Sequence, residues 1–301
     1  MTPHRAASPR LLAAALMALL LTTGCSTGES TDAGPTAPKQ TAPKPTAEVL
    51  GLVLPFDAYE ISHQESFTVA KARDLLMRNC MRRRGHEWKT LDYPAHVDDL
   101  RNRRRYGVIE IEVARNFGYH ATPEILSAAD DVTDRRKERD EHLGSDAVRA
   151  AYDEKNGCGY QANDFLERDG GSADYDRFNE LSSKLLTEAK KQPEVVGTLR
   201  DWQSCMRKKG FTYRTPDDAI ADRRWWTEKS DTGKSDTGKS EIATAVADVQ
   251  CKEQTSLVKT LYTAESRLQR QAVARERSYF DGLAAAKARN LRNARDVIDG
   301  R

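Results

Sequence analysis

The spacing of apolar residues predicts helices from residue 62 onward. Ser62 followed by Glu65 forms a capping box, and apolar residues continue at helical spacing as far as Cys80. Gly85 is well suited to end that helix in a left-handed conformation. Apolar faces and start signals of the same kind predict further helices over residues 174–191, 193–210 and from 216 onward.

The C-terminal part of the chain has the longest helical pattern. Between Glu241 and Ile298 there is no proline, and apolar residues stay close to a 3.6-residue period. An unbroken helix of this length would be about 85 Å long. A kink or break is therefore expected near Gly282, the one glycine in this stretch.

Alternation typical of β-strands is scarce. The best strand candidate is Val108–Val113, although the same residues could form a helical turn. The sequence therefore predicts a mainly α fold, a helical domain with a long C-terminal helix.

The N-terminus has the pattern of an export signal. Two arginines precede the apolar run Leu11–Leu21, which is too short for a membrane helix, since that needs about 20 residues. Gly24-Cys25 then resembles the lipobox of bacterial lipoproteins, with Thr22 where that motif usually has leucine. Residues 1–24 are thus expected to be a lipoprotein signal peptide and Cys25 the lipidated first residue of the mature chain. Secretion with cleavage nearby is the alternative.

The residues after the lipobox predict a tether. Residues 25–49 are dominated by Thr, Ala, Pro and Lys, a composition that cannot bury a core and is typical of disordered spacers. The extracytoplasmic helical domain is expected over residues 50–301, with a first unit at about 60–170 and a second at about 174–300.

Four cysteines remain for this domain, namely Cys80, Cys158, Cys205 and Cys251. An even number outside the cytoplasm indicates two disulfides, for which three connectivities can be drawn. The segments Cys80–Trp88 and Cys205–Tyr213 repeat one pattern of cysteine, methionine, three basic residues, glycine and, further on, an aromatic residue. Each copy is followed by one further cysteine. Two stapled helical units, with bonds Cys80–Cys158 and Cys205–Cys251, are therefore predicted.

The charges balance almost completely. Lys plus Arg is 48 and Asp plus Glu is 46, so the net charge of +2 argues against a nucleic-acid partner. The two densest basic runs are Arg82-Arg83-Arg84 and Arg103-Arg104-Arg105. They are candidate contacts for anionic lipid headgroups or wall polymers. The alternative is that they cap helix dipoles and pair with the acid-rich stretch 124–146.

Linear signatures of catalysis, metal binding and cofactor binding are missing. The cysteines lack the spacing of a zinc site, and the sequence has no nucleophile motif. A Gly-Lys-Ser in the tandem repeat at 231–240 follows no hydrophobic strand, as a phosphate-binding loop must. No cofactor, metal or catalytic residue is therefore predicted. The scattered histidines are expected at the surface, namely His63, His86, His96, His120 and His142.

Several motifs resemble those of uncharacterised lipoproteins of high-GC Gram-positive bacteria. They are the lipobox and the segments Asn102–Gly107, Gly157-Cys158, Trp202–Met206 and Ala245–Lys252. The resemblance implies a lipid-anchored protein on the extracytoplasmic face of the cell membrane, and it implies no activity. We expect a binding or structural role at the cell envelope, with an envelope protein or a wall polymer as partner. The alternatives are an envelope hydrolase whose site has no linear signature, and an inhibitor or accessory subunit of a secreted enzyme.

Overall fold

Helices make up nearly all of the regular structure in a computed structural model, which describes residues 43–120, 123–168, 173–227 and 236–301. These residues fall within one unit, Gln40–Arg301. The predicted signal peptide, Cys25 and the first part of the predicted tether lie outside the described residues. Within the described residues no strand occurs, and no helix is long and apolar enough to cross a bilayer.

The α-helices follow one another in this order: α1 (Ala47–Leu50), α2 (His63–Arg83), α3 (Ile111–Phe117), α4 (Pro123–Glu141), α5 (Ser145–Tyr152), α6 (Cys158–Glu167), α7 (Tyr175–Lys190), α8 (Pro193–Lys208), α9 (Pro216–Ile220), α10 (Asp236–Thr255), α11 (Leu257–Arg275) and α12 (Arg277–Ile298). Two 3-10 helices, Pro55–Tyr59 and Arg223–Trp226, lie in the connections.

The predicted helix starts are confirmed by their caps. The Ser62 side chain accepts a hydrogen bond from the Glu65 amide, and the Glu65 carboxylate accepts one from the Ser62 amide, which completes the capping box of α2. The Thr215 side chain caps α9 with a single hydrogen bond, which it accepts from the Asp218 amide. The strand candidate Val108–Val113 is extended only as far as Glu110, because α3 begins at Ile111.

The predicted break at Gly282 is wrong. Gly282 lies inside α12, where an added Cβ would meet no atom within 4 Å. The helical stretch is interrupted instead at Ser256, which adopts φ 56°, and at Glu276. A left-handed serine costs about 1–3 kcal/mol. Leu257 and Val258, directly after it, are buried in the core together with Trp202 of α8, and their burial offsets that cost.

The end of the predicted tether is part of the fold. Thr46 caps the short helix α1, and Val49 is buried. The Thr46 amide donates to Glu110, while the Arg103 guanidinium donates to the Pro43 carbonyl. The chain is thus attached to the domain from Pro43 onward, several residues earlier than its composition indicates.

Both predicted disulfides are present. Cys80–Cys158 joins the end of α2 to the start of α6, and Cys205–Cys251 joins the end of α8 to α10. The Cα atoms are 5.6 Å apart in both. We call α2, α5 and α6 the first stapled unit, and α8 and α10 the second.

The sequence repeat corresponds to a structural repeat. Gly85 and Gly210 have φ of 80° and 89°, which allows the following amide to reach back to the carbonyl of Met81 or Met206. A glutamine three residues after the second cysteine also lies against the disulfide in each unit. Its side-chain oxygen is 3.7 Å from Cys80 Sγ in the first unit and 3.4 Å from Cys205 Sγ in the second.

Each stapled unit packs against a different one of the last two helices. Helix α12 packs mainly against α2 and α6 of the first stapled unit, with Ala294 buried beside Ala72 and Leu166. Helix α11, which precedes it, packs against α7 and α8. The last two helices therefore join the halves that the sequence divides at about residue 170.

Removal of either disulfide should lower the free energy of unfolding by about 4 kcal/mol in the chain-entropy model. The variants are Cys80→Ser/Cys158→Ser and Cys205→Ser/Cys251→Ser, and denaturant unfolding followed by circular dichroism measures the change. A loss below about 1 kcal/mol in both variants would contradict a stapling role.

Candidate functional site

The arginine run Arg103–Arg105 is directed inward. Arg103 is 3% exposed and forms a two-point ion pair with Glu110, whose Oε2 accepts from Nε at 2.6 Å. Arg104 donates to the carbonyls of Tyr119 and His120, and burial together with the neighbouring Arg103 lowers its pKa. These side chains support the loops around them, and their partners lie outside the acid-rich stretch 124–146.

Arg105 binds a buried acid on one of the helices. Glu265 on α11 has no exposed surface, and its carboxylate accepts hydrogen bonds from Arg105, Tyr106 and Gln269. The Gln269 oxygen then accepts from the Phe56 amide at 3.0 Å. Burial, with the Glu265 charge beside it, raises the pKa of the Tyr106 hydroxyl, so Tyr106 stays a neutral donor.

A second buried charge pair lies on α10. Lys252 Nζ is 2.9 Å from Asp248 Oδ2 and also donates to the Val108 carbonyl, while Trp202 donates to Asp248 Oδ1. Burial raises the pKa of Asp248, and Lys252 opposes that shift. Gly107 is required here, because its φ is 78° and a Cβ would lie 3.0 Å from Lys252 Nζ.

The other basic run has a different environment. Arg82, Arg83 and Arg84 are exposed at the end of α2. The Arg84 guanidinium donates to the carbonyls of Ala150 and Asn156, which joins α2 to α5 and to the turn before α6. The six arginines therefore do not form one patch, and only Arg82–Arg84 remain candidates for contact with an anionic surface.

A histidine–carboxylate pair lies at the edge of the core. His120 follows α3, its side chain is 30% exposed, and its Nδ1 is 2.8 Å from Glu241 Oε1. Glu241 on α10 has no exposed surface and also accepts from the Tyr119 amide at 2.7 Å. Gly118 makes this approach feasible, since a Cβ there would lie 2.4 Å from Glu241 Oε1.

The pair has one unused acceptor and a fixed orientation. Glu241 Oε2 is buried and has no hydrogen-bond partner. Because a carboxylate only accepts, Nδ1 of His120 carries the proton of this contact, and Nε2 is the acceptor when the ring is neutral. The imidazole packs against Trp226 in a tilted arrangement, with ring centroids 4.8 Å apart.

A cleft of about 450 Å³ lies elsewhere, between residues 87–92 and the end of α4. Its walls carry charges of both signs, among them Glu87 and Lys89. Arg139, also in the wall, is bound to Asp74, which holds the 87–92 segment through the Leu91 amide. The mixed charge favours no single class of ligand, so we take the His120–Glu241–Trp226 group as the candidate site.

Sequence reasoning missed this site. His120 was expected as one of several surface histidines, whereas its ring rests on a buried carboxylate that lies 121 residues away in the chain. The local signal was weak, since Gly118 alone marks a close approach of the backbone.

Across the described part of the chain, no group of three His, Cys, Asp or Glu side chains could hold a metal ion.

Substitution Glu265→Gln should lower the free energy of unfolding by about 3–5 kcal/mol, because it leaves the Arg105 charge without its buried partner. Glu188→Gln on the exposed face of α7 is the matched control, and we expect a change within about 0.5 kcal/mol there. Denaturant titration measures both. Equal losses of unfolding free energy in the two variants would contradict the inference that the Arg105 charge depends on Glu265.

Chemically, the site offers a hydrogen-bond acceptor and an exposed aromatic face, held by buried groups. These are the properties of a binding subsite, and an oriented imidazole can also accept a proton.

Comparison of the chain with protein-family models, curated proteins and solved structures finds no match.

Proposed function

We propose that the protein is anchored by a lipid at Cys25 to the extracytoplasmic face of the cell membrane and binds a partner of the cell envelope there. The observation that carries the extracytoplasmic location is the pair of disulfides, Cys80–Cys158 and Cys205–Cys251. Such bonds persist in oxidising compartments and are rare in the cytosol. The export pattern of residues 1–24 and the resemblance to envelope lipoproteins support the same location.

The attachment at Pro43 sets the distance from the membrane. Seventeen residues separate Cys25 from Pro43. As a flexible coil they would span about 22 Å, and fully extended about 56 Å. A domain held this close can reach the surface polymers and proteins next to the membrane.

The buried charges favour binding over catalysis. Asp248 and Glu265 are fully enclosed and engaged by cations and hydrogen-bond donors, so a substrate could not reach them. His120 is accessible, and its ring is oriented by Glu241. A partner is therefore expected to contact the outer face of the domain, including the candidate site.

Cys25→Ser should move the protein from the membrane fraction to the medium or leave it unprocessed, because the substitution deletes the acceptor for the lipid. Fractionation of cells followed by immunoblotting measures this. A variant that is processed and retained like the wild type would refute the anchor.

The purified full chain should sediment with insoluble wall polymer or bind an envelope protein, and it should hydrolyse no peptide, glycan or ester in a substrate panel. His120→Asn retains a donor for Glu241 while deleting the Nε2 acceptor. Turnover by the wild type that this variant abolishes, with an unchanged circular dichroism spectrum, would favour the envelope hydrolase instead.

A further inference from the structure

One tryptophan of the four is open to solvent. Trp226 is 53% exposed, whereas Trp88, Trp202 and Trp225 are 5% exposed or less. A large indole left in water is among the surface features that mark interaction sites. Trp226 also lies directly beside the His120 ring.

The indole is held in a fixed position. Its Nε1 donates to the Ile220 carbonyl at 2.8 Å, and the preceding Trp225 is anchored in the same way to Ala219. The Trp226 ring is tilted 37° from the imidazole of His120. A ligand would therefore meet a prepared aromatic surface, with little entropy lost in ordering it.

A polar acceptor lies on the ring that packs beside the indole. With Nδ1 bound to Glu241, the neutral His120 ring offers Nε2 as an acceptor for a hydroxyl group. The guanidinium of Arg104 fixes the backbone here through the carbonyl of His120. The acceptor and the aromatic surface are thus arranged before a ligand arrives.

Two arginines bonded beside this surface are already engaged by other groups, which favours a neutral ligand. The Arg224 guanidinium is bound to Asp222 and Tyr213, and Arg104 is occupied by backbone carbonyls. Glu241 contributes a buried negative charge whose second oxygen has no partner. A phosphate or carboxylate would meet no available cation among these side chains.

We propose that Trp226 and His120 form a subsite for a neutral saccharide ring. The apolar C–H face of the sugar stacks on the indole face that His120 does not cover, and a hydroxyl at the rim of the sugar donates to Nε2 of His120. The inference rests on the proposed envelope-binding function and identifies its partner as the glycan of a wall polymer.

The test uses the full chain in detergent and N-acetylglucosamine oligomers as the probe. Since Trp226 is the exposed tryptophan, quenching of tryptophan fluorescence by acrylamide reports on it selectively. The oligomers should protect it from quenching in a saturable way. Trp226→Phe should retain part of the affinity, measured by calorimetry, and Trp226→Ala should lose it. His120→Asn should weaken binding about threefold to tenfold, the equivalent of one hydrogen bond.

Tyr160→Ala on α6 is the matched control, because Tyr160 is equally exposed at 52% and lies outside the site. The Tyr160→Ala variant should bind the oligomers with the affinity of the wild type. No protection by the oligomers, unchanged affinity in Trp226→Ala, or protection by adenosine in place of the sugar would each overturn the subsite. Sedimentation with wall polymer that persists in Trp226→Ala would also overturn it, while leaving the binding function and the anchor standing.

Discussion

The fold depends on one constraint, that backbone polar groups taken out of water must find partners. Several segments connect the α-helices of this domain, and many of their amides and carbonyls have no partner within an α-helix. Side chains supply the missing partners. Gln269 accepts from the Phe56 amide, Glu241 accepts from the Tyr119 amide, and Lys252 donates to the Val108 carbonyl.

This constraint explains the arginine run Arg103–Arg105. Arg103, Arg104 and Arg105 each donate to a backbone carbonyl, at Pro43, at Tyr119 and His120, and at Ser182 respectively. A planar guanidinium has five donors, so Arg103 and Arg105 can also bind a buried carboxylate. Buried charges are costly unless they are paired. Arg103, Glu241 and Lys252 offset part of that cost, because each also satisfies a backbone group that would otherwise be unpaired.

Local features of the fold could be predicted from the sequence. Caps such as Ser62 and Thr215 act on the nearest turn, and the repeated segments at Cys80 and Cys205 indicated the correct disulfides. Long-range features could not be predicted. The break at Ser256 arises from tertiary packing of α11, since serine has no intrinsic preference for a left-handed conformation.

The candidate site could not be predicted from the sequence for the same reason. His120 is far in the chain from both Trp226 and Glu241, and no spacing rule relates an imidazole to a carboxylate on another helix. The partner of Arg105 is likewise 160 residues away. A pattern of charges reveals that such groups need partners, whereas the partners themselves are fixed only by how the helices pack.

Native-state hydrogen exchange tests the central claim most directly. The Phe56 and Tyr119 amides lie outside the α-helices, and each donates to a fully buried side chain. If buried side chains secure the irregular segments, both amides should exchange as slowly as core amides of α11, through global unfolding. Exchange as fast as that of the amides in the exposed turn at Gly144 would contradict the account.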